Sequence, residues 1–110
     1  MEIFDMAQFF ITYLGGNPPN TPEEGQKHFE KYKEWLSSAG DAIISPANPL
    51  KNTYTVNTDG SVTEGSKIFM SGYTIIEADS IEAAIEITKT CPFLEIGGTL
   101  EVSEMVQMNM

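Results

Sequence analysis

The sequence contains no arginine, one histidine (His28) and one cysteine (Cys91). Its six basic residues, all lysines, stand against 16 acidic residues, which gives a formal net charge of −10. A nucleic acid or an anionic membrane surface is disfavoured as a partner, because both need a basic patch. One cysteine excludes an intrachain disulfide and a multi-cysteine metal site, and one histidine excludes a two-histidine site within the chain.

Targeting and membrane signals are also missing. The apolar run from Phe9 to Leu14 is far shorter than the ~20 residues that a membrane span needs, and no basic segment precedes it. No carboxylates have metal-ligand spacing. The pairs Gly15-Gly16 and Gly97-Gly98 begin no phosphate-binding motif and are assigned to turns. We therefore expect no metal and no cofactor. These absences predict a cytoplasmic protein.

A chain of 110 residues fits one domain. We place that domain at residues 8–106, between an N-terminal lead over 1–7 and a C-terminal tail over 107–110. Aromatic and β-branched residues over 8–14 predict a buried strand that ends at a cluster of glycine, asparagine and proline.

A long first helix is predicted from about Pro22 to Ala39. Thr21 supplies the N-cap, Pro22 fits the first helical position, and Glu24 completes a capping box. At 100° per residue, one face of this helix carries the apolar side chains and the histidine. The members of that face are Gly25, His28, Phe29, Tyr32, Trp35, Leu36 and Ala39.

The remaining elements complete an α+β pattern. In order they are a strand from Asp41 to Pro46, a hairpin turning at Asp59-Gly60, a strand from Ser71 to Glu77, a helix from Asp79 to Cys91, and a strand from Thr99 to Val106. Without the hairpin the order is β-α-β-β-α-β, which is the ferredoxin-like split βαβ fold. Such a sheet has helices on one face only, so apolar side chains on its bare face predict a homodimer that pairs face to face.

The segment from Gly72 to Val102 resembles the YCII-related family, whose branches include YciI-like and DGPF-domain proteins. It contains, in the family's order, a Gly-Tyr strand, an acidic-Ser cap, an Ala-rich helix, a Cys-Pro pair and a Gly-Thr-x-Glu-Val strand. Upstream, Ala39-Gly40, Ser45-Pro46 and the Asp59-Gly60 hairpin also fit. The resemblance implies a dimeric α/β barrel. The chain departs from the DGPF branch at the motif itself, where it has Glu64-Gly65-Ser66-Lys67.

His28 is the candidate general acid/base, because an imidazole has an ordinary pKa near neutrality, ~6.5. The resemblance implies that a first-helix histidine pairs with an aspartate in an interior cleft. Asp41 is the nearest candidate for that aspartate, and Glu64 is a second orienting carboxylate. The candidate ligand contacts are Tyr32, Ser45, Glu64 and Tyr73.

Two interpretations of His28 give two functions. In the first, the protein binds a small organic molecule in a cleft, or carries out acid/base chemistry on it through His28. In the alternative, His28 packs and donates one hydrogen bond to a backbone carbonyl, and the dimer is a non-catalytic ligand-binding or protein-interaction module. A third class is an accessory subunit whose acidic surface docks a basic partner. Whether the protein is an enzyme stays open at this point.

Overall fold

A computed structural model describes residues 6–107 of the chain. The predicted lead over 1–7 and tail over 107–110 lie outside these residues except for 6, 7 and 107, and Ala7 already belongs to the first strand. The strands are β1 (Ala7–Gly15), β2 (Ile43–Pro49), β3 (Tyr54–Val56), β4 (Val62–Glu64), β5 (Met70–Ala78) and β6 (Gly98–Glu104). Four of them form an antiparallel sheet in the order β2-β5-β1-β6, and β3 pairs with β4 in a separate hairpin. The predicted ferredoxin-like α+β architecture is confirmed.

Two helices pack against one face of the sheet. In α1 (Pro22–Ala39), the hydroxyl of Thr21 accepts from the backbone N–H of Glu24 at 3.1 Å, as the predicted capping box requires. In α2 (Ile81–Thr88), the cap is Ser80. The core lies between the helices and the sheet. Its buried aromatic members are Phe9, Tyr13, Trp35 and Phe93.

The predicted end of the second strand at Pro46 is wrong. Strand β2 continues through Pro46 to Pro49, and two register shifts interrupt its pairing with β5. Proline is tolerated because β2 is a bulged edge strand. Proline has no backbone N–H to donate, and at a bulged edge this loss does not interrupt the hydrogen bonding of a central strand. Asp41, predicted to begin this strand, instead lies in a 3-10 turn over Gly40–Ala42.

Two further boundaries near the C-terminus differ from the prediction. The last strand ends at Glu104 rather than Val106, whose side chain is 82% exposed. A 3-10 turn over Pro92–Ile96 follows α2 and was not predicted. This turn carries Phe93 back over the sheet, where its ring packs against Tyr13.

The face of the sheet away from the helices, here called the open face, carries a central apolar group. Strand alternation places Phe10 and Leu14 of β1 with Tyr73 and Ile75 of β5 on this face. The rings of Phe10 and Tyr73 stack with their centroids 4.7 Å apart.

Residues 50–69 form an exposed apolar region, here called the hairpin arm. Its turn is the predicted one, with Gly60 at φ +88° and Asp59 accepting from the backbone N–H of Ser61 at 2.9 Å. One face of the arm carries Tyr54, Val56 and Val62, which are 60%, 71% and 62% exposed. The two ends of the arm meet, because the N–H of Leu50 donates to the carbonyl of Ser71 at 2.9 Å.

Candidate functional site

A cavity of about 380 Å³ opens between α1 and the sheet. We call it the aromatic cleft, because five of its lining residues are aromatic. They are Tyr13, Phe29, Tyr32, Tyr73 and Phe93. The volume lies within the range of small-molecule sites, about 300–1,000 Å³. Its polar contributors are His28, Asn48 and Ser71 together with the tyrosines, and no aspartate, glutamate or lysine is among the residues that line it.

His28 borders the cleft from α1 and is half-buried. The side-chain hydrogen bonds that α1 makes within residues 6–107 include none to the imidazole. A histidine that serves packing alone would be expected to donate to a backbone carbonyl. Both ring nitrogens of His28 are instead free to meet a ligand or water.

Three hydroxyls form a compact cluster at the inner end of the cleft. The hydroxyl of Tyr13 lies 2.7 Å from that of Tyr32 and 2.8 Å from that of Thr74, and the last two are 3.1 Å apart. Tyr32 and Thr74 also donate to the carbonyl of Pro46. Each hydroxyl has one proton, so the three protons satisfy only three of the five contacts at a time. The three hydroxyl protons can therefore be distributed over these contacts in more than one way while the oxygen positions stay the same.

Tyr13 is the more buried of the two tyrosines in this cluster. Burial raises the pKa of its hydroxyl far above the ordinary value; the hydrogen bond with Thr74 opposes this rise, and that with Tyr32 adds to it. Tyr13 therefore stays protonated under neutral conditions. Nearby, the buried Cys91 thiol also has a pKa raised by burial, so it lacks the thiolate character of a nucleophile.

Phe93 forms part of the cleft wall and rests on two glycines. Its ring stacks obliquely on Tyr13, with centroids 4.9 Å apart. A Cβ added at Gly16 would come within 2.8 Å of the ring, and one at Gly98 would overlap it outright. Gly16 has φ +89°, which a turn explains, but Gly98 has no positive φ. From the sequence, both glycine pairs were assigned to turns, and this packing role was missed. A glycine can be needed for a positive φ or for the close approach of another side chain, and the sequence alone does not show which.

Two predicted ligand contacts, Tyr32 and Tyr73, lie on the cleft together with His28. Tyr73 borders the cleft although its ring stacks on Phe10 at the open face. Ser45 is not among the lining residues, but its hydroxyl accepts from the amide of Asn48 at 2.9 Å. Asn48 does line the cleft and also donates to the carbonyl of Tyr73 at 3.1 Å. Ser45 therefore supports a lining residue.

The two predicted carboxylates lie elsewhere in the chain. His28 is about three helical turns before the end of α1 at Ala39, or about 16 Å along the axis. Asp41 follows that end, so it does not reach His28 within one chain. Glu64 lies on β4 of the hairpin arm, opposite Tyr54. Neither carboxylate lines the aromatic cleft.

Within residues 6–107, no three histidine, cysteine, aspartate or glutamate side chains are grouped so that they could hold a metal ion. The same part of the chain contains no helix with the length and apolar character that a membrane crossing demands. The polar side chains that line the cleft supply an imidazole, an amide and hydroxyls.

The family model of the YCII-related domain matches residues 10–109, which include every strand and helix of the central fold except the first residues of β1. The chain belongs to the YCII-related domain family. The resemblance seen in the sequence is thereby confirmed. A search of curated proteins found no significant match. Membership in the YCII-related family accounts for the fold and leaves the function to be argued from the cleft.

Proposed function

We propose that the protein binds a small, uncharged aromatic molecule in the aromatic cleft and that His28 exchanges a proton with it. The observation that carries the proposal is the position of His28 on an aromatic-lined cavity, without a hydrogen-bond partner in the described chain. Aromatic walls favour a flat ligand, because ring pairs gain dispersion and edge-to-face contacts. A free imidazole can accept a hydrogen bond from a phenol or enol hydroxyl.

Charge supports an uncharged ligand. No lysine lines the cleft, the chain has no arginine, and its net charge is −10. A carboxylate or phosphate in the cleft would lose its hydration and meet no fixed positive charge, since His28 is the one lining side chain that protonation can make cationic. A neutral hydroxyl carries no charge that must be removed from water, so its burial costs much less free energy. The chemistry we propose is binding or proton transfer at a hydroxyl or enol, and it needs no cofactor.

Three matched probes test this proposal: naphthalene, 2-naphthol and 2-naphthoate. We expect calorimetry to show tightest binding for 2-naphthol and binding at least tenfold weaker for 2-naphthoate. His28→Ala should weaken 2-naphthol binding about fivefold to tenfold, since one hydrogen bond contributes about 1 kcal/mol. Naphthalene, which cannot bond to the imidazole, serves as the internal control and should bind both proteins equally.

Two results would contradict the proposal. If none of the probes binds at millimolar concentration, the cleft is not a site for aromatic ligands. If His28→Ala lowers the free energy of unfolding by about 1 kcal/mol or more and leaves all three affinities unchanged, His28 has a structural role and the alternative module is favoured.

We further propose that two copies of the chain pair through the open face. The half-buried apolar group around Phe10 and Ile75, on the face away from the helices, supports this pairing. The face-to-face arrangement of a dimeric α/β barrel is part of this proposal.

Ile75→Lys tests the pairing. We expect light scattering after size exclusion to give twice the chain mass of 12.1 kDa for wild type and the single chain mass for the variant. A lysine at the centre of an apolar interface would be buried without a partner. Ile85→Lys places the same charge on α2, on the helical side, and should leave the dimer intact. Dimeric Ile75→Lys or monomeric wild type would rule out the open face as the interface.

A further inference from the structure

His28 borders a second cavity as well as the aromatic cleft. This small cavity measures about 180 Å³ and lies between residues 17–20, the first two turns of α1, and Ile96. The imidazole thus stands at the boundary of two cavities, one lined by rings and one lined by a polar loop. The titratable side chains that border either cavity are Glu24, His28 and the tyrosines Tyr13, Tyr32 and Tyr73.

Glu24 is the carboxylate of the small cavity, and it lies one helical turn before His28. Residues at i and i+4 of a helix share a face, with Cβ atoms about 5–6 Å apart. The capping box holds Glu24 in place, because its Oε1 accepts from the backbone N–H of Asn20 at 3.0 Å. Its second carboxylate oxygen is left as an acceptor.

Glu24 and His28 are not in direct contact. The ion pairs within residues 6–107 are Lys31–Glu95 and Lys89–Glu86. A cavity of 180 Å³ has room for water, since one molecule occupies about 30 Å³ in the liquid. A water bridge between two polar groups is nearly as favourable in enthalpy as a direct hydrogen bond.

We infer that Glu24 is a positioning residue for His28. A water molecule in the small cavity accepts a hydrogen bond from the imidazole N–H that faces away from the aromatic cleft. The same water donates a hydrogen bond to the free carboxylate oxygen of Glu24. The other nitrogen is then unprotonated and is directed at the hydroxyl of a bound ligand. This inference rests on the proposed function, because it gives the imidazole the tautomer that accepts a ligand proton. A carboxylate sets the tautomer of a histidine in the same way at catalytic and metal sites.

Glu24→Gln isolates this role. The amide oxygen of glutamine can still accept from Asn20, so the capping box is kept. The second oxygen becomes an NH₂ group, so the acceptor for the water bridge becomes a donor. Glu23→Gln is the matched control, because it removes the same charge from the same turn and Glu23 borders neither cavity.

The readout is the tautomer ratio of His28, measured on ligand-free protein at pH 8 from long-range ¹H–¹⁵N correlations. The single histidine makes the assignment unambiguous. We expect one tautomer to dominate in wild type and in Glu23→Gln. In Glu24→Gln the ratio should change at least threefold toward the other tautomer, with an unchanged melting temperature. An unchanged ratio in Glu24→Gln, or an equal change in both variants, would overturn the inference.

The binding assay separates this inference from the proposed function. We expect Glu24→Gln to weaken 2-naphthol binding about threefold and to leave naphthalene binding unchanged. If the wild-type protein binds no probe, the proposed function is wrong. The tautomer ratio is measured on ligand-free protein, so it still tests the role of Glu24 in that case. A Glu24→Gln variant with wild-type tautomers and wild-type 2-naphthol affinity contradicts the role of Glu24 alone.

Discussion

Replacing Gly98 with alanine should lower the free energy of unfolding by about 2–3 kcal/mol. A Cβ at this position would overlap the ring of Phe93, which is itself buried against Tyr13. At a position without such a neighbour the same change is expected to stabilise, since alanine reduces the entropy of the unfolded chain by about 0.4–1 kcal/mol. A decrease in the free energy of unfolding would therefore indicate the close contact with Phe93, whereas an increase would indicate that this contact is absent. Urea unfolding followed by Trp35 fluorescence measures it.

A double-mutant cycle shows whether Phe93 is the cause. Phe93→Leu removes the ring atoms that the new Cβ would meet, so Gly98→Ala should cost less than about 1 kcal/mol in that background. The cleft provides a second readout, because a displaced Phe93 ring moves against a ligand and weakens 2-naphthol binding. Additive effects of the two substitutions would show that the cost of alanine at Gly98 arises elsewhere.

The protein should lose stability steeply above about pH 10, through Tyr13. Below that pH a tyrosine is protonated in the folded and unfolded chains, so its contribution to stability is constant. Above it the unfolded chain releases the proton, whereas burial keeps the pKa of folded Tyr13 far higher. The folded state then binds more protons, and the free energy of unfolding falls as pH rises, by up to about 1.4 kcal/mol per pH unit.

Denaturant titrations at pH 8, 10 and 11 measure this slope. Tyr13→Phe should begin less stable at pH 8, because the hydroxyl cluster loses a member, but its stability should fall less steeply above pH 10. Tyr54→Phe is the control, since Tyr54 is exposed on the hairpin arm and its loss should leave the wild-type slope. A Tyr13→Phe protein with the wild-type slope would show that other groups govern alkaline unfolding.

The order of elements was predictable because strong local signals mark their ends. The capping residues before α1 and the Asp59-Gly60 turn act within a few residues, so the sequence alone predicts both. The end of β2 was mispredicted because the cost of Pro46 depends on whether a strand lies at the edge of a sheet. That property belongs to the tertiary fold and has no local signal.

The site was predictable only where helical periodicity governs it. His28 and Tyr32 share a helix face, and both line the cleft. Glu24 was assigned to the cap alone, although its i, i+4 spacing to His28 was visible. The contact of Phe93 with Gly98 depends on the path of an unpredicted 3-10 turn, so no pattern in the sequence pointed to it.

The two ends of the hairpin arm lie side by side, so the arm is a suitable place to insert a foreign peptide. Leu50 bonds to Ser71 at the base of the arm, and the carbonyl of Phe69 accepts from the N–H of Gly15. A foreign peptide spliced between Leu50 and Phe69 would begin and end beside strands whose register is already set. The residues that line the cleft stop at Pro49 before the arm and resume at Ser71 after it, so such an insert replaces none of them. The chain can then serve as a scaffold that displays a loop at one end of its sheet.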